Sequence, residues 1–148
     1  MCGIAGKLFL RPNVFVTSEA ITRMCNTLRH RGPDDEGIYV DGAFGMGMRR
    51  LSIIDLATGK QPIRNEDESV WTVYNGEIFN FLELRISLQQ KGHRFYTNTD
   101  TEVIVHLYEE HQEEFVKHLA GMFAIALWDT RQKKLILARD RLGIKPLY

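Results

Sequence analysis

Gly121-Met-Phe-Ala-Ile-Ala-Leu-Trp-Asp129, Thr130-Arg-Gln-Lys133 and Lys134-Leu-Ile-Leu-Ala-Arg-Asp140 are the consecutive pieces from which the fold is read. Two apolar runs of strand length flank four polar residues, the pattern of a β-hairpin. Moving outward, Val103, Ile104, Leu107 and Tyr108 share one helical face, and Thr99-x-x-Glu102 ahead of them has capping-box spacing. Residues 80–91 read as another helix, stopped by Gly92 at the position after its end. Ser69 to Tyr74 is a β-rich run ending at Asn75-Gly76, and residues 57–62 form a Gly/Pro-containing loop. Residues 37–54 read as two or three short strands. Residues 18–30 are a helix with Ile21, Met24, Cys25 and Leu28 on its apolar face and Thr17 or Ser18 at its start, and residues 3–10 are a strand. Strands, helix, strands, helices, strands is the order of an α+β domain, with helices on mainly antiparallel sheet.

Composition narrows the function. The 148 residues suit one domain, and 44% hydrophobic with 26% charged residues is ordinary for a globular protein. Lys+Arg and Asp+Glu both number 19, so charge balance offers no attraction for nucleic acid or an anionic membrane. The apolar start is too short for a signal peptide or a span, and a cytoplasmic protein is expected. Cys2 and Cys25 make no disulfide framework. Spacings such as CxxC or HExxH are absent and the five histidines are scattered along the chain, so no metal ligand set is read.

Several residues carry two readings. Removal of Met1 would leave Cys2 with a free α-amine of pKa near ~8 beside a thiol near ~8.5. One residue would then hold nucleophile and base together. The plain alternative is a small buried residue at a strand start. Asn75-Gly76 signals a hairpin turn, yet a helical pattern follows it. A Gly backbone N–H and an Asn amide at a strand exit could instead hold an oxyanion. Arg49-Arg50 is a surface charge pair or a clamp for a substrate carboxylate. Asp100 and Glu77 either serve the helix dipole and solvent or accept a substrate ammonium.

Taken together, these segments resemble one family. Met1-Cys-Gly-Ile-Ala-Gly6, Arg29-His-Arg-Gly-Pro-Asp34, Arg50-Leu-Ser-Ile-Ile-Asp55, Tyr74-Asn-Gly-Glu-Ile78, Asp100-Thr-Glu-Val103, Gly121-Met-Phe-Ala-Ile125 and Arg139-Asp-Arg-Leu-Gly-Ile-Lys-Pro-Leu-Tyr148 look like the glutaminase domain of glutamine-hydrolysing asparagine synthetases. These are class II amidotransferases of the N-terminal-nucleophile hydrolase type. The resemblance implies a four-layer αββα sandwich with Cys2 at the end of a central strand. It implies that Cys2 attacks the glutamine side-chain carbonyl to give a γ-glutamyl thioester, with Asn75 and Gly76 as the oxyanion hole. Arg50 would bind the substrate α-carboxylate, the backbone of Leu51, Ser52, Ile53 and Ile54 would line the pocket, and Glu77 and Asp100 would hold the α-ammonium. No cofactor is implied for this domain. Ammonia would pass to a synthetase domain that uses ATP and Mg to make asparagine from aspartate, and that domain's Ser-Gly-Gly-x-Asp-Ser motif is absent from this chain. The chain stops soon after Arg139-Asp140, so the sandwich is expected to be C-terminally incomplete, lacking its last strands. Partners implied are glutamine and the synthetase domain, with no nucleic acid and no membrane; a homodimer is left open. The competing function is a catalytically silent glutamine-binding or partner-docking module.

Overall fold

A computed structural model describes residues 2–51 and 59–148. Two antiparallel sheets lie face to face. The first contains β1 (Gly3–Leu8), β2 (Asp35–Asp41) and β3 (Phe44–Arg50), in the order β1-β3-β2. The second contains β4 (Ile63–Arg64), β5 (Val70–Ile78), β6 (Gly121–Asp129) and β7 (Lys134–Arg139), in sequence order. Helix α1 (Ser18–Thr27) covers the outer face of the first sheet. Helices α2 (Phe81–Gln90) and α3 (Glu102–His111), with the 3-10 helix Gln112–His118, cover the second. The expected αββα layering is therefore present, and the hairpin over residues 121–140 is its β6–β7 pair.

Strand parity sorts the side chains. Along β3, Phe44, Met46 and Met48 point between the sheets, where they meet Ile4, Leu8, Val73, Ala126 and Trp128. Gly45 and Gly47 face the other way, against Ile21 and Cys25 of α1. On β5, Val70, Tyr74 and Ile78 pack toward α2 and α3, and Val73 packs toward the first sheet. Burial of each large apolar side chain contributes about 1.5–3 kcal/mol, so both interfaces strongly disfavour a one-residue slip in register.

Several local expectations are corrected. Asn75-Gly76 is neither a turn nor a strand exit: β5 runs on to Ile78, with Asn75 opposite Ala124 and Gly76 opposite Phe123. The capping box does not form. Helix α3 begins at Glu102, and Thr99 bonds Thr97 instead (2.9 Å between hydroxyls). Buried Glu102 reaches back to accept from the backbone N–H groups of Tyr96 (2.8 Å) and Thr97 (2.7 Å). Thr17 does cap α1, accepting from the Ala20 N–H at 3.3 Å, and Gly92 at φ +103 follows the end of α2 as expected. Cys2 precedes β1, an edge strand of its sheet among the described residues and not a central one; β3 is central. The scattered histidines also gather in space: His93 lies beside His106 and His111 beside His118.

Candidate functional site

Cys2, Arg50 and Asn75 are brought to one end of the inter-sheet space by parity. Extending the β1–β3 register by one residue sets Cys2 beside Arg50, on the face that carries Ile4 and Met48. Asn75 follows Val73 on the matching face of β5. Together with Leu51, Gly76, Glu77, Asp100, Gln61, Tyr74, Thr99, Thr101, Met122 and Lys145, they line a cavity of about 310 Å³. The Cys2 thiol lies 3.8 Å from the Leu51 carbonyl oxygen and receives the Leu51 N–H at 3.4 Å. The Arg31 guanidinium donates to the Cys2 carbonyl at 3.2 Å, fixing the chain end from the opposite side.

The outer edge of β5 supplies a backbone donor. Thr130 donates to Ser69 and Phe79 donates to Ala120, so the odd-numbered N–H groups of β5 face β6. The even-numbered ones face β4, which is two residues long and ends opposite Thr72. Beyond it the Tyr74 N–H is taken by the Gln61 side chain at 2.7 Å, and the Ile78 N–H by Asp100 Oδ2 at 3.0 Å. Between these two, the Gly76 N–H faces the cavity edge with no protein acceptor among the described residues. Glycine is needed there, because a Cβ would come within 2.1 Å of the Met122 carbonyl oxygen. A second close approach builds the edge: a Cβ on Gly37 would lie 1.7 Å from the Gln61 carbonyl oxygen, so only glycine lets the Gln61 segment press onto β2.

Charge is arranged around the same cavity. Arg49 and Arg50 are buried, at 7% and 6% exposure, which corrects the surface-pair reading. Arg49 pairs with Glu36 across the β2–β3 ladder, and Arg50 lines the cavity. Asp100 is 8% exposed and lies just before α3, not in its first turn. Its Oδ2 accepts from the Tyr74 hydroxyl at 2.8 Å as well as from Ile78. Burial pushes its carboxyl above the ordinary range and the Glu77 charge adds to this, against the opposing effect of its hydrogen bonds. Tyr74 is in turn pushed far above the usual phenol range, by burial first and then by Asp100, so its hydroxyl stays a donor. Glu77 is exposed at the rim. Ser52, Ile53 and Ile54 lie outside the described residues.

Gln61, Tyr74 and Lys145 were not read from the sequence as site residues. Parity alone places Tyr74 on the helix-facing side, and its role depends on Asp100. Lys145 arrives through a turn organised by Asp140. That carboxylate accepts backbone N–H bonds from Phe123, Leu142, Ile144 and Lys145 at 2.8–3.2 Å. Burial works against its charge, but those donors hold the carboxyl below the ordinary range. Asp140 followed by Arg-Leu-Gly-Ile-Lys was the available signal, since an Asp side chain ahead of a Gly-containing stretch favours an Asx-type turn.

The sequence and the fold are similar to those of known proteins. Residues 1–148 match the family model described as a glutamine amidotransferase domain. The glutamine-hydrolysing asparagine synthetase 2 of Bacillus subtilis is 47% identical over 150 residues, which cover 100% of this chain and 20% of that protein. The glutamine-hydrolysing asparagine synthetase 2 of Oryza sativa subsp. japonica is 48% identical over 148 residues, covering 100% of this chain and 25% of that protein. The chain thus spans about a fifth to a quarter of the length of these relatives. Among solved structures, the glutamine phosphoribosylpyrophosphate amidotransferase from B. subtilis, complexed with ADP and GMP, superposes with a TM-score of 0.76. That match covers 99% of this chain and 38% of the other at 21% identity, a likeness of fold. With a family match over its full length, and a thiol, an edge N–H and paired charges in one inter-sheet cavity, this chain belongs to the glutamine amidotransferase domain family.

Proposed function

We propose that this chain hydrolyses the side-chain amide of glutamine, with Cys2 as nucleophile. The observation that carries the reading is the single cavity joining the Cys2 thiol, the Gly76 edge and Asn75 to the buried Arg50 and Asp100. A zwitterionic amino acid needs an anion and a cation at one end and oxyanion donors at the other. Arg50 receives the α-carboxylate. Asp100 receives the α-ammonium on Oδ1, because Oδ2 already serves Tyr74 and Ile78, and Glu77 adds charge at the rim. Leu51 lines the same cavity, and the resemblance assigns Ser52, Ile53 and Ile54 to the same subsite.

Once Met1 is removed, the Cys2 α-amine takes the thiol proton and Sγ bonds to the amide carbon. The carbonyl electron pair moves onto oxygen, where the Gly76 N–H and the Asn75 amide stabilise it. Collapse breaks the C–N bond, and the α-ammonium returns its proton so that ammonia leaves. A water, deprotonated by the same amine, opens the γ-glutamyl thioester and releases glutamate. The acceptor of ammonia is proposed to be an ATP- and Mg-dependent synthetase domain making asparagine from aspartate; its phosphate-binding motif is not in this sequence. A cytoplasmic location, supported by the short apolar start, belongs to the same reading, and a homodimer is left open. Among the described residues no helix is long and apolar enough to cross a membrane.

The test is ammonia release from glutamine together with covalent labelling by an electrophilic glutamine analogue. Both should occur in the parent and vanish in Cys2→Ala. Labelling that persists in Cys2→Ala overturns the assignment. Intact mass should show loss of Met1; a retained Met1 with glutamine bound but not turned over selects the silent binding module instead.

A further inference from the structure

A second polar cluster lies outside the cavity, where the β4–β5 loop and the segment after α2 meet α3. Glu66, His93, His106 and Glu109 each offer one donor atom, and these atoms all lie within 4.8 Å of one another. His106 Nδ1 is 3.1 Å from Glu109 Oε2 and 3.4 Å from Glu66 Oε2. His93 Nδ1 is 3.5 Å from Glu109 Oε2 and 3.7 Å from Glu66 Oε1. A tetrahedral ion with bonds of roughly 2.0–2.2 Å to nitrogen and oxygen has ligand–ligand edges of roughly 3.3–3.6 Å. The four imidazole–carboxylate separations, 3.1–3.7 Å, lie around that edge, and the widest separation in the set, 4.8 Å, would close on ion binding. From this geometry we propose that Glu66, His93, His106 and Glu109 form a site for a divalent cation of the zinc class.

The surroundings hold these donors in place. His106 and Glu109 are three residues apart on α3, so they share a face. The Asn65 amide donates to Glu109 at 2.8 Å, and the Arg94 N–H donates to Glu66 at 2.7 Å. The far nitrogen of His93 meets Glu110 at 3.1 Å, the outer-shell arrangement that orients a metal-bound imidazole. His106 is wholly buried, and its Nε2 has no hydrogen-bond partner, with Glu102 Oε1 3.8 Å away. Glu66, Glu102, Glu109 and Glu110 surround the two rings, and Lys91 pairs with Glu110. The ring centroids are 4.8 Å apart, close enough for one ion to meet a nitrogen of each. The site would tie two loops to α3 and is independent of the amidotransferase chemistry.

The test uses the chain carrying Cys2→Ala, so that the leading thiol cannot bind metal. After chelator treatment, this protein should take up one equivalent of zinc and melt at a higher temperature. The cobalt-substituted form should show the visible bands of tetrahedral nitrogen–oxygen coordination without thiolate charge transfer. His93→Ala and Glu109→Gln replace partly exposed side chains and should weaken zinc binding by more than about tenfold. X-ray absorption at the zinc edge of the loaded parent, which needs no further variant, should show imidazole scattering with nitrogen and oxygen neighbours. No stoichiometric zinc in the parent, undiminished binding in both variants, or an edge spectrum without imidazole overturns the proposal.

Discussion

The two cysteines lie on opposite sides of one sheet, and their surroundings differ in every respect that matters to a thiol. Cys2 sits at the end of the inter-sheet space, half-buried, touching the backbone of Leu51 and open to a polar cavity. Cys25 is fully buried between α1 and the sheet, in a niche that exists because Gly47 carries no side chain; a Cβ there would be 2.8 Å from its sulfur. Burial pushes the Cys25 thiol up to about 11, the Glu36 carboxylate adding to this and Arg49 opposing it. A thiol so held is not ionised near neutral pH and is inert as a nucleophile. The two thiols thus differ in access and in the polarity of what they touch, because one lies at the open end of the inter-sheet space and the other beneath a helix.

The sharpest way to break this comparison is to remove each sulfur in turn. Cys2→Ala should lower the rate of ammonia release from glutamine by roughly 10⁴-fold or more, as removal of a nucleophile does elsewhere. Cys25→Ala should leave kcat unchanged in the same assay. Comparable losses in two well-folded variants would show that the two environments are not functionally distinct.

A smaller effect separates the thiol from the proposed oxyanion donors. Asn75→Ala should reduce kcat by roughly 10²–10³-fold, with KM changing much less, since the donor is needed most when the carbonyl oxygen carries charge. Equal effects on kcat and KM would instead make Asn75 a plain binding residue.

Asp100 sharpens the comparison at the other end of the cavity. Asp100→Asn should raise KM for glutamine by roughly 10–100-fold, the value of one charge-assisted hydrogen bond. The sign of the pH effect follows from its raised carboxyl. An ammonium ligand binds the charged form, so affinity should fall as pH drops through that raised value, and binding near it should release a proton. Calorimetry of glutamine binding to the Cys2→Ala chain, in buffers of different ionisation enthalpy, reads this directly. Proton uptake, or no proton exchange across the acid range, would remove Asp100 from the ammonium site.

The smallest expected effect returns to Cys25. Cys25→Ser places a hydroxyl in an apolar niche and should lower stability by about 1–3 kcal/mol, measured by urea unfolding, with kcat untouched.

How far each residue was legible depended on the range of the interactions that place it. The cap of α1, read as Thr17 or Ser18 and found at Thr17, Gly92 after α2 and the 121–140 hairpin are local, and each was legible from a few neighbouring residues. Thr99 was misread because Glu102, its expected capping partner, turns instead to Tyr96 and Thr97, a choice made by burial. Asn75-Gly76 has the composition of a turn, but nine residues of β6 pair along β5 and carry the strand through it. The Glu66–His93–His106–Glu109 cluster was invisible because its members come from three segments with no motif spacing.

The order of residues alone determined the alternation of helix and strand and the paired hairpin, because these follow from periodicity and turn chemistry over a few positions; the candidate site side chains were singled out by the resemblance of their motifs to a known family. Only the folded chain decided that Cys2 and Arg50 of one sheet face Asn75 of the other, that β4 is short enough to bare the Gly76 N–H, and that Gln61 and Asp100 occupy the donors beside it. Those outcomes depend on register and burial between segments far apart in the chain, and a shift of one residue in either sheet would turn the same side chains away from each other.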